Sequence, residues 1–91
     1  MSEESESVRC WLVERTFDDR NLVTLVYATP DGERYQRHER SANSLRAGSP
    51  PTAAVDCRPA KLEPVEDADT RERYATEAAR LMDAHDPDDT V

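Results

Sequence analysis

Glycine and lysine are nearly missing from this sequence, which has two of the first, Gly32 and Gly48, and one of the second, Lys61, among twelve basic residues. Two glycines cannot build a glycine-rich phosphate loop or a dinucleotide fingerprint, and no GxSxG or HExxH pattern occurs, so nothing marks the chain as an enzyme and no catalytic residue is assigned. Cysteine is scarce too. Cys10 and Cys57 have no second thiol near them, which removes CxxC redox and zinc-knuckle patterns and leaves free buried thiols. The longest mainly apolar stretch, Leu22 to Ala28, contains Thr24 and is far shorter than the roughly 20 residues of a membrane helix. The opening residues carry Glu3, Glu4 and Glu6 instead of a basic flank and an apolar run, so a cytoplasmic chain without a membrane partner is expected. Ninety-one residues with few large apolar side chains support one thin core in two layers and leave little room for a deep cleft.

Acid is what the sequence has in excess: twenty Asp and Glu against twelve basic residues, a net charge of −8. Arginine in place of lysine, few aromatics and surplus carboxylates form the pattern of a surface kept hydrated in molar salt, where repulsion is screened. The excess is uneven. Residues 8–61 carry a net +2, whereas residues 62–91 carry −7. The total argues against general affinity for a phosphate backbone, so nucleic acid is not an expected partner.

Val8 to Phe17 reads as a strand, followed by turn formers at Asp18 to Asn21 and a second strand over Leu22 to Thr29. Pro30-Asp31-Gly32 signals a hairpin in which the glycine takes positive φ, and a third strand runs from Glu33 to about Ser41. A loop over Ser41 to Thr52, anchored through Leu45, leads to a short fourth strand over Ala53 to Arg58. Asp69 and Glu72 have capping-box spacing for a final helix, whose apolar stripe is Tyr74, Ala75, Ala78, Leu81, Met82 and His85. His85 sits where a helix C-terminus favours positive charge. Asp86-Pro87 ends the helix. The expectation is an α+β domain over residues 8–86, an antiparallel meander of about four strands with one C-terminal helix on one face. An acidic flexible segment at 1–7 and an acidic solvated tail at 87–91 flank it.

Pairing Phe17 with Leu22 and Thr29 with Glu33 sets the faces: Leu12 meets Tyr27, Val13 meets Val26, and Tyr27 meets Tyr35. One face then shows Cys10, Leu12, Val23, Leu25, Tyr27 and Tyr35; the other shows Trp11, Val13, Phe17, Leu22 and Val26. A single helix covers only one of them. The uncovered face, taken as Trp11, Val13, Phe17, Leu22 and Val26, predicts a homodimer, or another protein partner, and a non-catalytic interaction module. The third strand is edge-like and basic, with Arg34, Arg37, His38 and Arg40 as candidate anion ligands. Joined by Arg46, they form the alternative reading, a nucleic-acid or anion binder. The reading the sequence favours has them paired with the acidic helix or with a partner chain.

Cys10, His38, Cys57 and His85 are ligand types for zinc, but their spacing fits no common finger and this register puts Cys10 and His38 on opposite faces, so neither metal nor cofactor is expected. Trp11 reads as packing or an interface anchor, and Glu14 as an edge residue. A ligand-binding reading requires a pocket near Tyr27, Tyr35 and Glu14. Three stretches, Trp11 to Thr16, Leu22 to Tyr35 and Arg71 to Asp89, together resemble a family of uncharacterised small acidic proteins from halophilic archaea. The resemblance implies one domain and the saline compartment, and it implies no activity, cofactor or site residue.

Overall fold

The computed structural model describes residues 7–43, 48 and 50–91. β1 (Val8–Phe17), β2 (Leu22–Ala28) and β3 (Arg34–Ser41) form the expected meander; β4 (Ala54–Cys57), a 3-10 turn (Pro59–Lys61), β5 (Glu63–Pro64) and helix α1 (Ala68–Ala84) follow. All pairings are antiparallel in one sheet of order β4-β1-β2-β3-β5. The α+β class therefore holds, with a two-residue fifth strand that no propensity signal announces.

The register departs from expectation twice. In β1 a bulge separates the pairs Leu12 with Tyr27 and Glu14 with Val26, leaving Val13 as the extra residue. Both Val13 and Glu14 are thereby turned toward α1: Val13 packs in the clusters beneath the helix, and Glu14 accepts a hydrogen bond from the Tyr74 hydroxyl at 3.4 Å. Phe17 consequently faces Val23 instead of Leu22. In the second hairpin Ala28 meets Tyr35 and Tyr27 meets Gln36, one residue away from the expected pairing. The turn causes the slip: Thr29 N–H donates to the Arg34 carbonyl, and the Thr29 hydroxyl donates to Asp31 at 2.6 Å, making the loop one residue longer. A one-residue slip reverses every side chain. Tyr35 and Arg37 therefore join the helix side, and Gln36, His38 and Arg40 join the side of Leu25.

Helix α1 begins two residues earlier than the sequence suggests, because Asp67 is the cap, accepting from the Thr70 N–H at 2.9 Å and its hydroxyl at 2.8 Å. Tyr74, Ala78 and Leu81 are buried as the stripe predicts, while Met82 is exposed. They pack on Trp11, Ala53, Ala54, Val26, Ala28 and Val65. Burying a side chain such as Leu81 contributes about 1.5–3 kcal/mol.

The other face holds Cys10, Leu12, Val23, Leu25, Tyr27 and Cys57, all buried, with Val8, Val55, Leu62 and Val91 against them. The chain closes this face itself. From β4 at one edge to β5 at the other are four strand spacings, about 19 Å if the sheet were flat, and only residues 58–62 make the crossing. A 3-10 turn rises just ~2 Å per residue, so the sheet curls toward the crossover, and Leu62 packs beneath it. The final residues are held too, since Ala53 N–H donates to the Asp89 carbonyl at 2.8 Å, Val91 N–H donates to the Pro51 carbonyl at 3.1 Å, and Thr52 bridges Thr90. These bonds dock the backbone of the last residues, while the side chains of Asp88, Asp89 and Thr90 stay exposed. Leu45 lies outside the described residues.

Candidate functional site

Curling the sheet over its crossover creates a basin of about 530 Å³ on the face opposite α1, larger than a thin core was expected to leave. That volume is in the range of small-molecule sites. Leu25 and Tyr27 form its floor, Gln36, His38 and Arg40 one wall, and Pro50, Pro51 and Thr52 a second; Val55 to Arg58 and Lys61 complete it. The wall from β3 follows from the register, which sets Gln36, His38 and Arg40 opposite Tyr27, Leu25 and Val23. The His38 ring meets Tyr27 edge-on, with centroids 5.5 Å apart and planes at 78°. Burial raises the Tyr27 phenol above its ordinary value, with Arg40 and Arg15 pulling the other way.

The basin's charge runs against that of the whole chain. Arg40, Arg58 and Lys61 line it with His38, against one acid, Asp56, and the Asp56 carboxylate faces Arg9 at 3.7 Å. Arg58 and Lys61 enter no ion pair among the described residues. On the helix side the balance reverses: a cavity of about 440 Å³ beside Tyr35 and Tyr74 carries Glu63, Glu66 and Asp67 against Arg37, and one of about 260 Å³ balances Glu14 and Glu77 with Arg15 and Arg80. The domain thus has a basic concave side and an acidic helical side.

The four candidate anion ligands divide. Arg34, His38 and Arg40 share the basin face, although Arg34 does not line the basin, whereas Arg37 stands over the Tyr35 ring on the helix side, 5.7 Å from its centroid. Arg46 falls outside the described residues. Gln36, Arg58 and Lys61 were missed. Arg58 and Lys61 come from a crossover that propensity cannot foresee, although a lone lysine three residues after an arginine, in a chain that otherwise avoids lysine, was a signal in hindsight. Tyr27 lies on the basin face and Tyr35 and Glu14 on the helix face, where they line three different cavities, so the sheet separates the three residues.

Of the five residues predicted to meet a second copy, four lie on the helix side and Phe17 does not. Trp11 and Val26 are buried beneath α1, Val13 and Leu22 are half-buried, and Phe17, turned by the bulge, is 63% exposed at the end of the opposite face. The physical reason is that α1 covers the face on which Trp11, Val13 and Val26 lie. The zinc ligand types also moved. The slip brings His38 to the face of Cys10 and Cys57, whereas His85 caps α1 with its Nδ1 3.6 Å from Asp89. Among the described residues no three potential ligands gather closely enough to hold a metal ion. Cys10 and Cys57 are diagonal neighbours on β1 and β4. Burial, reinforced by Cys57, pushes the Cys10 thiol up to about 12, and burial raises Cys57 as well, so both stay protonated.

No helix among the described residues is long and apolar enough to cross a membrane. Neither the curated proteins nor the solved structures include a match to this chain. The profile of a family of unknown function, DUF7967, matches residues 4–91, nearly the whole length, and the chain belongs to that family.

Proposed function

We propose that this protein is a non-catalytic binding module whose site is the basin, and that its ligand is a small organic anion. The observation that carries the reading is the charge reversal: Arg40, Arg58 and Lys61 face one apolar-floored hollow of about 530 Å³ in a chain of net charge −8. Cations gathered over a low-dielectric floor attract an anion more strongly than the same charges in open water. The apolar lining of Leu25, Val55 and the two prolines favours an organic body over a bare inorganic ion. Cys57, the one thiol in the lining, is held protonated and is a poor nucleophile. A long polyanion is disfavoured by the acids of the helical side. The reading as a self-associating module has less support, because Trp11 and Val26 are buried beneath α1 and Phe17 lies on the opposite face. The acid excess and arginine preference support a saline cytoplasm, as in halophilic archaea, as the working environment.

Calorimetric titration in molar potassium chloride tests this with phenyl phosphate and benzoate as probes and benzyl alcohol as the neutral control. Both anions are expected to bind, benzyl alcohol to bind at least tenfold more weakly, and the Arg58→Ala, Lys61→Ala double variant to lose the difference. Equal binding of the neutral control, or no binding of either anion, would overturn the proposal.

A further inference from the structure

We infer that the basin is built for a mononucleotide, with the base on the β3 wall and the phosphate at the crossover. The inference rests on the anion-binding reading and adds the ligand class. Its first support is size. The lining runs from β3 to β4 and on to the crossover around about 530 Å³, more space than a bare phosphate or a short carboxylic acid fills. A ligand using both walls needs a charge at one end and a different group at the other.

The second support is the chemistry at each end. On β3, Tyr27 meets His38 edge-on, which fixes the imidazole while its side chain stays exposed, so a ring face is available for stacking. Gln36 lies two residues away on the same face, half-buried, and its amide has the donor and acceptor that pair with the two-group edge of a purine. On the crossover, Arg58 and Lys61 flank Pro59 and Ala60 in the 3-10 turn, both exposed and unpaired among the described residues. A guanidinium and an ammonium there match a phosphate monoester. Between the ends, Val55, Pro50 and Pro51 supply apolar contact for a sugar and base. No catalytic step is implied.

Titration of the full chain with adenosine monophosphate, adenosine, ribose 5-phosphate and inorganic phosphate, read by calorimetry and by backbone amide shifts, tests the assignment. Adenosine monophosphate is expected to bind about tenfold more tightly than ribose 5-phosphate or adenosine, in line with the contribution of one stacked base. His38→Ala and Gln36→Leu are expected to bring adenosine monophosphate binding down to that of ribose 5-phosphate measured on the same variant, with circular dichroism confirming the fold. If ribose 5-phosphate equals adenosine monophosphate and His38→Ala changes nothing, the nucleotide assignment fails and the anion site stands. If adenosine binds as well as adenosine monophosphate, or none of the four binds, the anion site fails with it.

Discussion

At Gly32 the backbone takes φ 74°, and a Cβ placed there would lie 2.2 Å from the Arg71 carbonyl oxygen and 2.8 Å from the Ala75 nitrogen. Turn and helix are therefore pressed together at a point where only hydrogen fits. Gly32→Ala combines the strain of a positive φ with a backbone clash, and chemical denaturation is expected to show a loss of about 2 kcal/mol or more. A loss under about 0.5 kcal/mol would mean that α1 does not rest on the hairpin. The positive φ was legible in Pro30-Asp31-Gly32; the helix contact was not, because it joins residues some forty positions apart. The thiols give a second test at this scale. With Cys10 fully buried and Cys57 nearly so, neither is expected to react with a thiol reagent at pH 8 until denaturant is added. Their raised values also fix a sign: the unfolded thiols ionise first, so their contribution to stability is complete below about pH 8.5 and is lost as pH rises toward the folded value of Cys10, about 12. Thermal melts at pH 8 and pH 10 read that decline.

At the scale of elements, three aspartates hold local structure. Backbone N–H of Arg20 holds the Asp18 carboxyl below the usual carboxylate range, the Thr29 hydroxyl does the same for Asp31, and the Thr70 hydroxyl and N–H for Asp67. Carboxyls depressed in the folded state stabilise it above their unfolded value, about 3.9, and that contribution is lost as pH falls through the folded values. Melting temperature is thus expected to be insensitive to these groups at neutral pH and to drop below about pH 4. Asp67→Ala removes the cap of α1 and is expected to lower the melting temperature by a few degrees at pH 7, with the gap to the parent closing below pH 4; a constant gap would show that the cap acts without its charge. Element type and order were readable because alternation, turn chemistry and helical spacing are local. Register was not. The extra residue at Val13 and the Thr29 to Asp31 hydrogen bond each displace a pairing by one, and together they moved Phe17, Tyr35 and His38 to other faces than local alternation gives.

Across the whole molecule those displacements decide which side chains line the basin. The two apolar faces were visible in the sequence, and so was the limit of a single helix; what completes the second face, a crossover of five residues from Arg58 to Leu62, carries no periodic signal. Half of the candidate site was legible, as His38 and Arg40. Arg58 and Lys61 become partners of these residues only when the sheet curls. Folding therefore sorts a charge pattern already uneven along the chain into a basic hollow and an acidic helical side, and the proposed anion site is built on that sorting. Its most direct test is a map of backbone amide shifts during titration with phenyl phosphate in molar potassium chloride. The account predicts saturable shifts concentrated at Gln36, His38, Val55, Arg58 and Lys61, with the helical face around Glu72 and Asp83 unmoved. Shifts that are absent, or spread evenly over both sides, would contradict it.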